Sequence, residues 1–263
     1  MNIIVCMKQV PDTQKVRIDP ERGTLIRKGV PAITNPFDES GLEMALELKE
    51  TLGGSVTVLT MGIPDSECML RDALSLGADS GILLTDASFS GADTLATSYT
   101  LSKGIERIGN FDLLIFGKQA IDGDTAQVGP EVAGLLDLPL ITFVSGVIEA
   151  ADTYIVVERM LDNGKEILRS DFPMVISVVK AANRLRMPSI DRIIGSFNRK
   201  ILKYGLQDIG AEEGRCGLKG SPTRVKKIFT PKQRSRVEYL DGSLEEKGRG
   251  FVELIREKGL LVL

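Results

Sequence analysis

The chain contains no histidine, which removes the Ser–His and Cys–His arrangements of nucleophilic catalysis and the commonest proton shuttle near neutral pH. Its three cysteines, Cys6, Cys68 and Cys216, form no CxxC pair. Neither a zinc site nor an iron–sulfur cluster is signalled, and all three read as reduced thiols. Aromatic residues make up only 5% of the chain, too few to interleave with the basic residues as RNA stacking requires. A net charge of -3 and a pI near 5.3 also argue against nucleic acid. No hydrophobic run approaches the length of a membrane span, and the sequence opens on a strand-like segment without a secretory signal, so no membrane span is expected and the predicted location is cytoplasmic. Neither GxGxxG nor GxxxxGK[ST] occurs, which leaves the ordinary dinucleotide fingerprint and the ordinary phosphate-cleaving loop unsupported. Any redox reaction involving this chain must therefore be carried by a cofactor.

What is present is a core-forming chain of 263 residues, 43% hydrophobic, enough for one substantial domain and an appendage. Residues 2–7, 55–61, 81–85 and 112–116 are short apolar runs of the kind that form buried parallel strands. Between them lie helical segments at 37–52, where Leu42, Ala45, Leu46 and Leu52 fall on or near one face, at 65–76 behind Pro64, and at 93–108 behind Asp-Thr. Alternating strands and helices imply βαβ units and a parallel sheet, whose ligands bind at the carboxyl ends of the strands.

The loop after residues 112–116 is the most informative. Gly117 lets the backbone leave the strand sharply, and Lys118, Gln119, Asp122, Asp124, Thr125 and Gln127 precede an amphipathic helix. That order gathers free amides, a positive helix end and a lysine around one crevice, where a nucleotide phosphate fits. The plainer alternative has Asp124 or Thr125 capping the helix and Asp122-Gly123 making a turn. Two acids repel a phosphate, so Lys118 is the expected anion partner, with Asp122 and Asp124 capping or accepting from hydroxyls and loop amides.

Beyond Leu140 the runs 144–149, 154–160, 166–170 and 174–179 are short and β-branched, separated by Asp152-Thr153 and Asn163-Gly164, and read as antiparallel hairpins. From Lys180 the periodicity weakens while Arg184, Arg186, Arg192, Arg199, Lys200 and Lys203 accumulate. Residues 190–263 read as an extended arm with a short helix at 244–257 that needs another subunit to lie on.

Several segments resemble, in order, the β subunit of electron-transfer flavoproteins: IIVCMKQVPDT at 3–13, NPFDESGLEMAL at 35–46, GADTLATS at 91–98, GKQAIDGDTAQVGP at 117–130 and SPTRVKKIFTPK at 221–232. The resemblance implies an α/β, parallel-sheet nucleotide-binding domain of the adenine nucleotide hydrolase-like or Rossmann-like type over 1–189, binding FAD or AMP, with an added antiparallel hairpin region. The extended C-terminal arm, 190–263, packs on the α subunit. Adenosine is expected near Cys6, Lys8, Asn35, Phe37, Asp38 and Met61, and phosphates along Gly117, Lys118, Gln119, Ala120, Ile121, Asp122, Gly123, Asp124, Thr125, Gln127, Val128 and Gly129. GADTLATS, with KQVPDT, IDGDTAQ and SPTRV, is similar to the bifurcating subgroup whose β subunit holds a full FAD. Gly91, Asp93, Thr94 and Thr97 then face the diphosphate. In ERMLDNGKE the family's Arg-then-Asp-Gly-Gly turn is altered, and Arg159 belongs either to the ligand site or to a salt-bridged hairpin.

By the same resemblance, the apolar residue before a proline that enters a pocket on the partner dehydrogenase is Met187, ahead of Pro188, with Arg184, Arg186 and Arg192 attracting an acidic rim. The implied function is a subunit of an NAD- and ferredoxin-linked oxidoreductase with no catalytic side chain and no metal of its own. FAD here and a second FAD in the α subunit would exchange electrons among NAD(H), ferredoxin or flavodoxin and a flavin-dependent dehydrogenase of acyl-CoA, enoyl-CoA or lactate type. A simple carrier with AMP in this site, and a stand-alone adenine-nucleotide sensor, are the alternatives.

Overall fold

The computed structural model describes residues 1–12, 17–18, 25–26, 31–180, 182–226 and 239–260. Thr13 and residues 227–232 of the motifs above lie outside the described residues. In chain order the first half contains β1 (Asn2–Cys6), β2 (Gln9–Pro11), β3 (Arg17–Ile18), β4 (Leu25–Ile26), β5 (Ala32–Thr34), α1 (Pro36–Leu52), β6 (Ser55–Met61), α2 (Glu67–Leu76), β7 (Ser80–Leu84), α3 (Thr94–Ile108), β8 (Leu113–Gly117) and α4 (Val128–Leu135). Next come β9 (Leu140–Ala150), β10 (Tyr154–Leu161), β11 (Gly164–Asp171), β12 (Met174–Val178), α5 (Ile190–Asn198), β13 (Ile201–Tyr204), α6 (Gly217–Gly220) and α7 (Leu244–Glu257).

A nine-stranded sheet runs β11-β10-β9-β12-β8-β1-β6-β7-β13. From β9 across to β13 every neighbouring pair is parallel, and β9, β10 and β11 form antiparallel hairpins. This is the mixed α/β architecture expected from the alternating apolar runs. Because β-strand side chains alternate, β1 sends Ile3 and Val5 into one core with α1 and α2, and Ile4 and Cys6 into a second core with the α3 and α4 side.

Two assignments are corrected. Residues 174–179 do not continue the hairpins: β12 inserts in parallel between β8 and β9, and all five of its residues are buried, which a one-sided hairpin strand would not allow. The arm does not begin at residue 190, because α5 packs on α2 and β13 pairs in parallel with β7. The chain divides into one compact unit over Met1–Lys227 and a second over Ile228–Leu263. In the second unit α7 opens with a capping box between Ser243 and Glu246 and buries none of its residues.

The chain builds β6 and β7 on one side of β1 and β8 and β12 on the other, so the direction of strand addition switches around β1. Crevices open at such switch points, outside the strands' carboxyl ends. There the ends of β1 and β8 are joined by the carboxylate of Asp38, in the first turn of α1. The amide of Lys8 donates to Asp38 Oδ2 at 2.7 Å and the amide of Gly117 to Oδ1 at 3.1 Å. A Cβ on Gly117 would lie 2.2 Å from Asp38 Oδ1 and 2.8 Å from Asp38 N, so only glycine lets α1 start this close to β8. Gly117→Ala is expected to lose about 1–3 kcal/mol of stability through overpacking. Gly123→Ala, whose Cβ would meet nothing within 4 Å, should be near neutral; urea unfolding of both variants checks the contrast.

Candidate functional site

Beyond the carboxyl ends of β1, β6, β7 and β8 lies a cavity of about 910 Å³. It is walled by the β1 exit (Cys6, Lys8), the α1 entry (Asn35, Asp38), Met61, the α3 entry (Gly91, Asp93, Thr94, Thr97) and the loop from Gly117 to Gly129. Of that loop, Lys118, Gln119, Ala120, Gly123, Thr125, Gln127 and Val128 also face the cavity. The structure thus brings together most residues singled out in the sequence, drawn from segments far apart in the chain.

Four of them stand outside its lining. Phe37 sits behind Gly117, whose Cβ it would touch at 2.7 Å. Ile121 contributes its amide, which donates to Asn35 Oδ1 at 3.3 Å. Asp122 is held by the Lys8 ammonium at 2.7 and 2.8 Å, and Asp124 accepts from the Gln119 side chain. Both acids that would repel a phosphate are therefore tied to other partners. Arg159 stands 3.7 Å from Glu166 across the β10–β11 hairpin and is likewise absent from the lining.

The loop is braced rather than capped. Asn35, 1% exposed, donates from Nδ2 to the Gln119 carbonyl at 2.9 Å while its Oδ1 accepts from Ile121, so one buried amide fixes the loop at two points. The amides of Gly123 and Asp124 both return to the Ala120 carbonyl, and Asp124 and Ala126 take left-handed φ values of 56° and 54°. Helix α4 starts at Gln127 without a side-chain cap. The alternative in which Asp124 or Thr125 caps it does not hold, and Val128 and Gly129 of its first turn line the cavity at the positive end of the helix dipole. Among the described residues no carboxylate pairs with Lys118, whose Nζ lies 5.0 Å from the centre of the Phe143 ring.

Helix α3 is capped: Asp93 accepts from the Ala96 amide at 3.1 Å and from the amide and hydroxyl of Thr223 at 3.0 and 2.8 Å. Partial burial pushes the Asp93 carboxyl up, but these hydrogen bonds outweigh it and hold it below the usual range. The Asp93 amide in turn donates to Ser221 Oγ at 2.8 Å. GADT and SPTRV are thereby stitched together, and Pro222, Thr223 and Val225, which the resemblance ties to the FAD-holding subgroup without naming them as site residues, form a cavity wall. Glu131 was also missed; it lines the cavity and accepts from Thr94 at 3.0 Å and Ser98 at 2.8 Å. Its position in the first turn of the helix after the loop was the available signal. The apolar lining, Phe89, Leu101 and Phe116, carries no local sequence signal that separates it from core.

The partner-binding group is split. Met187 is 89% exposed and Arg184 is exposed, whereas Pro188 is half-buried. Arg186 instead folds back onto α1, its Nε 3.0 Å from Glu43 and its guanidinium also on Glu50, so it serves as an anchor within the fold.

Burial pushes the Cys6 thiol well above its ordinary value, with Asp38 adding to the effect, so Cys6 supplies no thiolate. Burial also raises the Asp38 carboxyl to about 7, against the opposing amide hydrogen bonds. Between its ordinary 3.8 and about 7 the folded protein keeps a proton that the unfolded chain has lost. This stabilisation is fully present below the unfolded value and disappears as pH rises through about 7. Asp38→Asn presents a donor to one of the two amides and should cost about 1–3 kcal/mol. The stability gap between wild type and Asp38→Asn should narrow from pH 5 to pH 8 in urea titrations, whereas a gap that widens contradicts the raised carboxyl.

The chain matches the electron transfer flavoprotein domain over residues 22–194. It is 44% identical over 258 residues to the electron transfer flavoprotein subunit beta of Clostridium acetobutylicum, covering 98% of this chain and 99% of that one. It is 42% identical over 263 residues to the caffeyl-CoA reductase-Etf complex subunit CarD of Acetobacterium woodii, covering 99% and 100%. Protein FixA of Sinorhizobium fredii is 46% identical over 243 residues, covering 90% and 85%. With end-to-end likeness of this kind and a cavity assembled from the segments that prompted the resemblance, the chain belongs to the electron transfer flavoprotein family, among its β subunits.

Proposed function

We propose that this β subunit is of the bifurcating kind. It holds FAD in the strand-end cavity and, with an α subunit carrying its own FAD, distributes electrons among NAD(H), ferredoxin or flavodoxin, and a flavin-dependent dehydrogenase. The observation that carries this reading is the continuity of the cavity from the uncapped start of α4 to the start of α3 and the Pro222–Val225 wall. Two helix starts and about 910 Å³ exceed what one nucleoside monophosphate needs, and lie near the top of the roughly 300–1,000 Å³ range of small-molecule sites. The Acetobacterium woodii relative, named as a subunit of a caffeyl-CoA reductase-Etf complex, supports a partner of the acyl-CoA or enoyl-CoA class. A lactate-type dehydrogenase is the other partner class for such a subunit.

On this reading Lys118 and the amides opening α4 hold one phosphate, Gly91, Thr94 and Thr97 the other, and Cys6, Asn35 and Met61 the adenosine end. Bound FAD supplies the one- and two-electron redox chemistry for which this chain has no side chain. The residues themselves bind and orient: Asn35 braces the loop, Asp93 and Ser221 hold the wall, and the buried Cys6 thiol stays unreactive. The dehydrogenase docks on the exposed apolar stripe of α5, Ile190, Ile194 and Phe197 at 75%, 59% and 69% exposure, continued by Met187. Ile190, Ile194 and Phe197 share one helix face. The helix is held from behind by Arg71, which donates to the Ser196 and Arg199 carbonyls at 2.6 and 2.7 Å.

Acid extraction of nucleotides from the purified αβ heterodimer, resolved by chromatography, tests the assignment. Two FAD per heterodimer and no AMP are expected. One FAD with one AMP overturns the bifurcating reading in favour of a simple carrier.

A further inference from the structure

Strand β9 carries a defect next to the cavity. Ile141 pairs with Ile176 and Val144 with Val178 of β12, so Thr142 and Phe143 together oppose Ser177 alone. That is a β-bulge in a parallel pair, where bulges are rare. Its second residue, Phe143, has φ 61°, a left-handed conformation normally left to glycine and a genuine outlier for a bulky side chain. The Phe143 amide, displaced from the ladder, donates to Ser177 Oγ at 3.2 Å, and Ser177 is itself 2% exposed. Strain of this sort persists only where its surroundings over-determine it, and it clusters at working sites.

The bulge aims the Phe143 ring at Lys118. Lys118 is tied by its amide to the Val178 carbonyl at 2.8 Å, on the strand between β8 and β9, and its ammonium stands 5.0 Å from the ring centre. Lys8, the other cavity lysine, has its charge matched by the Asp122 carboxylate. An aromatic face attracts an ammonium without neutralising it. The geometry points to Phe143 as a positioning residue: held left-handed by the bulge and by Ser177, it keeps the Lys118 ammonium at the cavity wall, charged and ready for an anionic ligand. This rests on the nucleotide reading above and adds to it the residue that orders the lysine before the ligand arrives.

A double-mutant cycle on the full-length chain, stripped of nucleotide and titrated calorimetrically with ADP, tests it. Lys118→Met and Phe143→Leu should each weaken ADP binding by about fivefold, the order expected for a partly desolvated cation–π contact. The double variant should bind no more weakly than Lys118→Met alone, and Phe143→Tyr, which keeps the ring, should restore wild-type affinity. Phe143→Gly, suited to the left-handed backbone, replaces Phe143→Leu if the latter does not fold. Wild-type affinity in both ring-deleting variants, or losses that multiply fully in the double variant, overturn the role of Phe143. A wild-type chain that binds no ADP instead overturns the nucleotide reading itself.

Discussion

The arrangement depends on one buried carboxylate. Asp38 receives the amides of Lys8 and Gly117, the second residue past β1 and the last of β8, and so ties the ends of two parallel neighbours to the start of α1. Parallel strands end in amides and carbonyls with no ladder partner beyond them, and an unpaired buried amide is costly. A carboxylate with two acceptor oxygens satisfies both amides at once. Burial raises its proton affinity, so the clamp works against its own desolvation, as buried charged groups generally do. The chain leaves the sheet in two directions from this point, and the crevice between them is the cavity.

Around that clamp the protein separates its charges. A site for an anion needs donors and positive ends without competing carboxylates. Asp122 is taken up by Lys8, Asp124 by Gln119 and Asp93 by the α3 cap and Thr223, while the start of α4 is left uncapped and Lys118 rests on an aromatic ring. Glu131, a wall carboxylate like Asp38 and Asp93, is likewise taken up: its oxygens accept the hydroxyls of Thr94 and Ser98 and so join α3 to α4. Cavity shape and charge distribution come from the same hydrogen bonds.

The arginines after residue 180 show how composition misleads. Read as a run, they resemble a solvated basic face or an arm. Arg186 instead closes on Glu43 and Glu50, Arg192 donates to the Leu76 carbonyl and Arg199 to that of Ala78, covering the open carbonyls at the end of α2 and beyond it, where cations are favoured. These contacts draw α5 and β13 into the first unit and leave the apolar stripe of α5 outward. The apolar periodicity of α5 therefore marks an outward face, and the element is held to α2 by charge–carbonyl contacts.

The sequence by itself determined what is local: the first four parallel strands and their helices, the hairpin that turns at Asn163-Gly164, and the polar loop opening into a helix after β8. Periodicity and turn chemistry are written within a few residues, so they survive without the fold. Only the tertiary structure decided that β12 lies inside the sheet, that β13 edges it, that Pro222, Thr223 and Val225 wall the cavity, and that Asp122 and Arg186 serve as clasps. Lys8 meets Asp122 across 114 residues, Thr223 meets Asp93 across 130 and Arg186 meets Glu43 across 143. A polar side chain's type states that it needs a partner, whereas the partner's identity is set by which strand ends the sheet brings side by side.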